Sequence, residues 1–188
     1  MDYIDNITQY LPLGFTHVIP LGFDHILFIL TLFFLNSKIQ SVIIQCSVFT
    51  LAHSLSLGLA TSGCILPNST YIEPLIAFSI LYTAIENIVL TRVNPFRLAI
   101  IFVFGLIHGM GFASALQQIG IPKEEFFTSL FSFNIGVELG QIVVILLAYF
   151  LISKWFAAKS WYKERVVYPL CSLIGCVSLY WLIERILS

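Results

Sequence analysis

The chain has 188 residues, of which 59% are hydrophobic and 10% charged, with mean hydropathy +0.95. A soluble domain of this composition would expose large apolar patches, so the sequence reads as an all-α integral membrane protein forming a single transmembrane domain. A formal net charge of −1 leaves no basic surface for nucleic acid.

The amino-terminal stretch MDYIDNITQYLPLGF is acidic and lacks a basic n-region, so it is expected to stay uncleaved and outside the first span. A helix crosses the hydrocarbon with about 20 apolar residues. Six segments meet that length: residues 16–36, 39–61, 71–90, 96–118, 126–152 and 166–187. Breakers separate them at Asn36-Ser37, Pro67-Asn68, Asn94-Pro95, and Gly120 with Pro122, followed by a polar stretch from Lys154 to Arg165. Lys38, Arg92, Arg97, Lys154, Lys159, Lys163 and Arg165 fall on one side of these spans, and Lys123 and Arg185 on the other. That bias puts the first, third and fifth connections in the cytoplasm and both termini outside.

The first span opens with HVIPLGFDH. On a continuous helix Asp24 would share a face with His17, His25 would turn away, and Pro20 and Gly22 would distort the start. His17 would stand at the outer mouth, with Asp24 and His25 roughly 12–14 Å into the span. The second span carries His53 in its outer half within a stripe of Ser47, Thr50, Ser54 and Ser56, hydroxyls suited to helix packing. Glu73 begins the third span at the outer face, where a helix dipole favours a carboxylate. Ser79, Tyr82 and Glu86 follow on one face, with Asn87 beside it. The fourth span holds His108 between the close-packing residues Gly105 and Gly109. In the fifth, Asn134, Glu138 and Gln141 form one polar stripe, with Glu138 about 18 Å into the span. The sixth reads as scaffold. Cys46, Cys171 and Cys176 lie in spans and Cys64 in a loop, a pattern of small buried hydrophobes rather than disulfides.

No lysine or arginine falls mid-span, whereas each intramembrane acid costs about 2.5–3.5 kcal/mol on insertion scales. A divalent ion or protons would relieve that cost. The candidate metal ligands are His17, Asp24, His25, His53, His108 and Glu138, with Glu73, Glu86, Asn134 and Gln141 as secondary groups.

The segments HVIPLGFDHILFIL, FTLAHSLSLGLA, EPLIAFSILYTAIENI, FGLIHGMGFASAL and FNIGVELGQ, in this order, resemble the HupE/UreJ family of membrane proteins. The resemblance implies a multi-pass protein of the bacterial inner membrane that admits nickel or, in some members, cobalt. Its histidine-acid and histidine-glycine motifs correspond here to His17, Asp24, His25, His108 and Gly109. The interval from His17 to Asp24 is longer than in one well-known form, and LIHGMGFAS replaces the FHGxAxGxE form, which marks a divergent branch.

Two functions follow as expectations. One is a divalent-metal permease or facilitator of the nickel or cobalt class, with ligands strung through the bilayer from His17 and Glu73 to Glu86. Lacking a nucleotide-binding motif, it would be driven by a gradient or an accessory membrane partner, and a homo-oligomer is compatible with the same spans. The alternative is an intramembrane metal-dependent hydrolase acting on lipid or peptide, with zinc held by histidines and Asp24, and Glu138 or Glu86 as general base. Ligands converging beside a lipid-open cleft would favour the hydrolase; ligands along an axial path would favour the permease.

Overall fold

The structure is a computed structural model that describes residues 3–35, 38–90, 95–119, 121 and 123–188. The expected breakers Asn36, Ser37, Asn94, Gly120 and Pro122, and the loop cation Arg92, lie outside the described residues. Seven helices make up most of the described chain, with no strand among the described residues: α1 Tyr3–Val18, α2 Phe23–Leu35, α3 Ile39–Thr61, α4 Ser69–Val89, α5 Arg97–Ile119, α6 Phe126–Phe156 and α7 Lys163–Leu187. Helices α3 to α7 are each long and apolar enough to cross a membrane, and α1 with α2 forms a sixth candidate span bent by 66°.

The expected continuous first span is therefore corrected. Thirteen residues of α2 rise about 20 Å, too short to cross alone. Four residues, Ile19 to Gly22, separate it from α1; Pro20 has no N–H to continue the ladder, and Gly22 packs on the His17 carbonyl. The amino-terminal segment before the expected first span is part of the bundle. It is helical, Tyr10 is fully buried, and α1 lies along α6.

The bundle is built from three close pairs, α1 with α6, α3 with α5 and α4 with α7, and α2 is packed among them. Small residues make the close pairs possible. A Cβ at Gly136 would strike the backbone of Leu11 and Phe15, and one at Gly109 would strike the His53 carbonyl and the Ser56 hydroxyl. The central helix α2 buries side chains around most of its circumference, as expected of a helix apolar on every side. Its one buried hydroxyl, on Thr31, donates to the Phe28 carbonyl at 2.6 Å and lies 2.8 Å from the Thr83 hydroxyl of α4. Asn87 donates to the Thr31 carbonyl at 2.7 Å and to Cys171 Sγ of α7 at 3.2 Å, joining α2, α4 and α7. Cys46 and Cys171 are buried as expected; Cys176 is exposed on α7 instead.

Lys38, Arg97 and Lys163 gather at one end of the bundle, where Lys163 donates to the last carbonyl of the α4 turn at Leu90. Glu73 and Arg185 meet at the other end, with the Arg185 guanidinium donating to the Glu73 carbonyl at 3.0 Å. The expectation that no basic side chain enters the polar interior fails at Arg97. Its guanidinium is buried and pairs with Glu86, while its Nε donates to Gln45 Oε1 at 2.6 Å. Placed at the first residue of α5, Arg97 looks like a loop cation in sequence, but its long side chain reaches inward between α3 and α4.

Because Gly109 and Gly136 sit against backbone, Gly109→Ala and Gly136→Ala should each destabilise the protein by about 1–3 kcal/mol through overpacking. Gly175→Ala, whose added Cβ would come no nearer than 3.8 Å to its closest neighbour, should be close to neutral. Thermal unfolding in detergent compares the three, and equal losses at all of them would contradict this packing.

Candidate metal centre

The bend between α1 and α2 brings His17, at the end of α1, back over His25, at the start of α2, with ring centroids 4.6 Å apart. His53 from α3 lies 5.9 Å from His17 and 5.7 Å from His25, and His108 from α5 lies 5.2 Å from His25. All four histidines thus meet at one place. They are not spread from the outer mouth to mid-membrane, as a continuous first span required. Ser79, which touches His108, lies midway along α4, about 15 Å from either end, so the cluster sits near the centre of the bundle.

Hydrogen bonds set which ring nitrogens are available. Asp24, in the first turn of α2, accepts the His25 backbone N–H at 2.8 Å, one of the donors left open at a helix start. The same oxygen lies 3.1 Å from His25 Nδ1. A carboxylate only accepts, so His25 carries its proton on Nδ1 and Nε2 is left as a lone pair. Ser79 donates its hydroxyl to the Ile76 carbonyl at 2.7 Å, and its oxygen lies 2.8 Å from His108 Nε2. With the Ser79 hydrogen on the Ile76 carbonyl, His108 donates from Nε2 and keeps a free lone pair on Nδ1. His17 Nε2, His25 Nε2, both nitrogens of His53 and His108 Nδ1 are buried without a hydrogen-bond partner among the described residues. Orphan imidazole nitrogens converging in an apolar interior are what a borderline metal ion would satisfy.

Two groups meet the spacing of metal ligands among the described residues. His17, His25 and His53 offer ligand atoms within 4.8 Å of one another, and so do Asp24, His25 and His108. His25 belongs to both. Aromatic rings enclose the cluster: Phe112 lies 3.9 Å from the His17 ring, Phe49 5.1 Å and Phe28 5.3 Å from that of His108, and Phe133 5.6 Å from that of His17. His25, His53 and His108 are fully buried, whereas Asp24 retains a quarter of its side-chain exposure, so the centre is least covered at the α1–α2 turn.

Of the other candidate residues, Asn134 on α6 lies beside His53, and the rest stand elsewhere. Glu138 accepts hydrogen bonds from Ser47 at 2.8 Å and Thr50 at 2.6 Å, and with Asn134 it lines a groove of about 410 Å³ between α3 and α6. Gln141 is buried behind it, 3.2 Å from the Thr50 hydroxyl. The hydroxyls of α3 therefore serve a carboxylate as well as packing. Glu86 is held by Arg97, and Glu73 is an exposed partner of Arg185 at the bundle end. None of Glu73, Glu86 or Glu138 joins either ligand group among the described residues. Ser79 as the orienter of His108 was visible only as part of a polar face. The four phenylalanines left no signal, because aromatic residues in an apolar span equally suit lipid.

A family model described as HupE / UreJ protein matches residues 2–185. The chain belongs to the HupE/UreJ family. The match extends the resemblance seen in the first five spans to nearly the whole of this HupE/UreJ chain, including α1 and α7. Neither a curated protein nor a solved structure matches it.

Asp24 orients His25 and is itself a member of the second ligand group, so Asp24→Asn should weaken Ni²⁺ or Co²⁺ binding by about 10–100-fold. His25→Ala, which removes the ligand common to both groups, should abolish stoichiometric binding, and Glu73→Gln should leave it unchanged. Equilibrium dialysis of the purified variants distinguishes them; wild-type affinity in His25→Ala would contradict the geometry.

Proposed function

We propose that this HupE/UreJ protein is a permease or facilitator for a divalent transition ion of the nickel or cobalt class in the bacterial inner membrane, with both termini outside. The family is associated with nickel and cobalt handling. The observation that carries the proposal is the sharing of His25 by two ligand groups. An ion held by His17, His25 and His53 can pass to Asp24, His25 and His108 without releasing every ligand at once. Exchange of that kind suits conduction, whereas a closed four-ligand cage would trap the ion. The ligands are four imidazoles and one carboxylate, a donor set suited to Ni²⁺, Co²⁺ or Zn²⁺.

Entry is from the α1–α2 turn, where His17 and Asp24 are the least covered members. On the opposite side Phe28, Phe49 and Phe104 pack together, and the Arg97–Glu86 pair lies beyond them. The conformation is accordingly closed on that side, and passage requires these groups to part. The path runs through one compact centre, not along a ladder of acids ending at Glu86.

Convergence of three imidazoles on one point is the observation that favours the hydrolase reading. In that reading Glu138 or Glu86 would be the general base that activates water beside the metal. Glu86 is occupied by Arg97 and Glu138 by two hydroxyls, and the groove reaching Glu138 is lined by no histidine. The permease reading accounts for more of the structure.

Reconstituted into liposomes, the protein should admit Ni²⁺ or Co²⁺ above the level of empty vesicles, and His25→Ala should lower the rate by at least about tenfold. Uptake indistinguishable from empty vesicles would overturn the proposal.

A further inference from the structure

His25 and His108 each have a neighbour that fixes the ring, Asp24 and Ser79, whereas both nitrogens of His53 are buried without a hydrogen-bond partner among the described residues. His53 stands on α3, which packs against α6. The two helices run in opposite directions: Ser47 and Thr50 meet Glu138, Thr50 reaches Gln141, and farther along α3 Gly58 faces Leu130. His53 is three residues on from Thr50, and Asn134 is four residues back from Glu138. That register sets the two level, one turn from the Thr50–Glu138 contact. The Asn134 side chain accordingly lies beside the His53 ring.

Asn134 is 8% exposed, and its amide has one orientation. Nδ2 donates to the Leu130 carbonyl at 2.7 Å; a carbonyl only accepts, so the amide oxygen is the free end. That oxygen is buried and has no hydrogen-bond partner among the described residues. An unmet acceptor and a ring with unmet nitrogens thus stand side by side in an apolar interior, where each is costly alone. A neutral imidazole has one N–H to give the amide oxygen, and its other nitrogen then keeps a lone pair for an ion.

We propose that Asn134 is the positioning residue of His53: its Oδ1 accepts the His53 N–H and aims the opposite ring nitrogen at the ion shared with His17 and His25. The inference rests on the metal-centre reading above. It gives α6 a part in the centre, although among the described residues α6 supplies no member of either ligand group. A carboxamide holds the ring without adding charge, unlike Asp24. Because a carboxylate partner raises the basicity of a ligating imidazole and a neutral one does so less, His53 holds the ion more loosely than His25, which suits an ion that must move on.

Proton NMR of the Co²⁺-loaded full chain in detergent shows the N–H hydrogens of ligating imidazoles as paramagnetically shifted resonances, and the one missing from His53→Gln belongs to His53. Together with equilibrium dialysis it tests the proposal. Asn134→Leu keeps the shape and removes the acceptor. It should lose or displace the His53 resonance and weaken Co²⁺ binding by about tenfold, while the metal-free melting temperature stays equal or rises because an unmet buried acceptor has gone. Asn134→Asp keeps an acceptor at the same position, so it should retain the resonance and bind Co²⁺ more tightly than Asn134→Leu. Wild-type affinity in Asn134→Leu, or an unaltered His53 resonance there, overturns the proposal. A wild-type spectrum with no shifted imidazole resonance overturns the metal centre and the proposal with it.

Discussion

A helix that crossed the bilayer without interruption from residue 16 to residue 36 would hold His17 and His25 two turns apart, out of reach of a common ion. The break between Val18 and Phe23 removes that separation. It turns the chain through 66°, brings the two rings edge to face at 4.6 Å, and sets α2 in the middle of the bundle. From there His25 faces His53 on α3 and His108 on α5. Gly109 lets α5 close onto the backbone beside His53, which brings those two helices to the same centre. The rest of the arrangement depends on this turn, since only a short central helix can present one imidazole to three neighbours.

Burying this many polar groups in hydrocarbon works because they are divided into separate systems, each largely satisfied. Glu138 takes two hydroxyls from α3. Glu86 takes Arg97, and Arg97 takes Gln45. A buried ion pair of this type adds little net stability, but removing one partner costs about 3–5 kcal/mol, so it fixes how α3, α4 and α5 meet. Among the described residues the histidines hold the largest share of unpartnered buried atoms. Asp24 and Ser79 orient two of them, yet five of their nitrogens have no partner among the described residues. On the proposed function, those unpartnered nitrogens are the donors that would hold the ion.

Much of this was legible in the chain. Helices α3 to α7 follow from apolar length alone, and the small residues at 105, 109, 136 and 140 announced close packing. What they packed against was not legible, because composition gives a seam but not its partner; Gly136 receives α1, most of which lies outside the expected first span. The break was read as a local distortion, since Pro20 and Gly22 show where a helix is weak but not where the chain goes next. Depth assigned along a straight helix then spread the histidines over the bilayer. Arg97 was hidden by its position at a helix start, where a basic residue is expected to face water. Glu138 stood out as an acid inside its span, but its hydroxyl partners on α3 could be matched to it only in three dimensions.

The central claim is that the histidines of three separate elements coordinate one ion. X-ray absorption spectroscopy of the wild-type protein loaded with a single equivalent of Ni²⁺ or Co²⁺ tests it directly. The account predicts a first shell containing at least three imidazole nitrogens, with the outer-shell scattering that imidazole rings produce. A shell of oxygen donors with one imidazole or none would show that the cluster does not bind the ion as a unit, and would contradict the account.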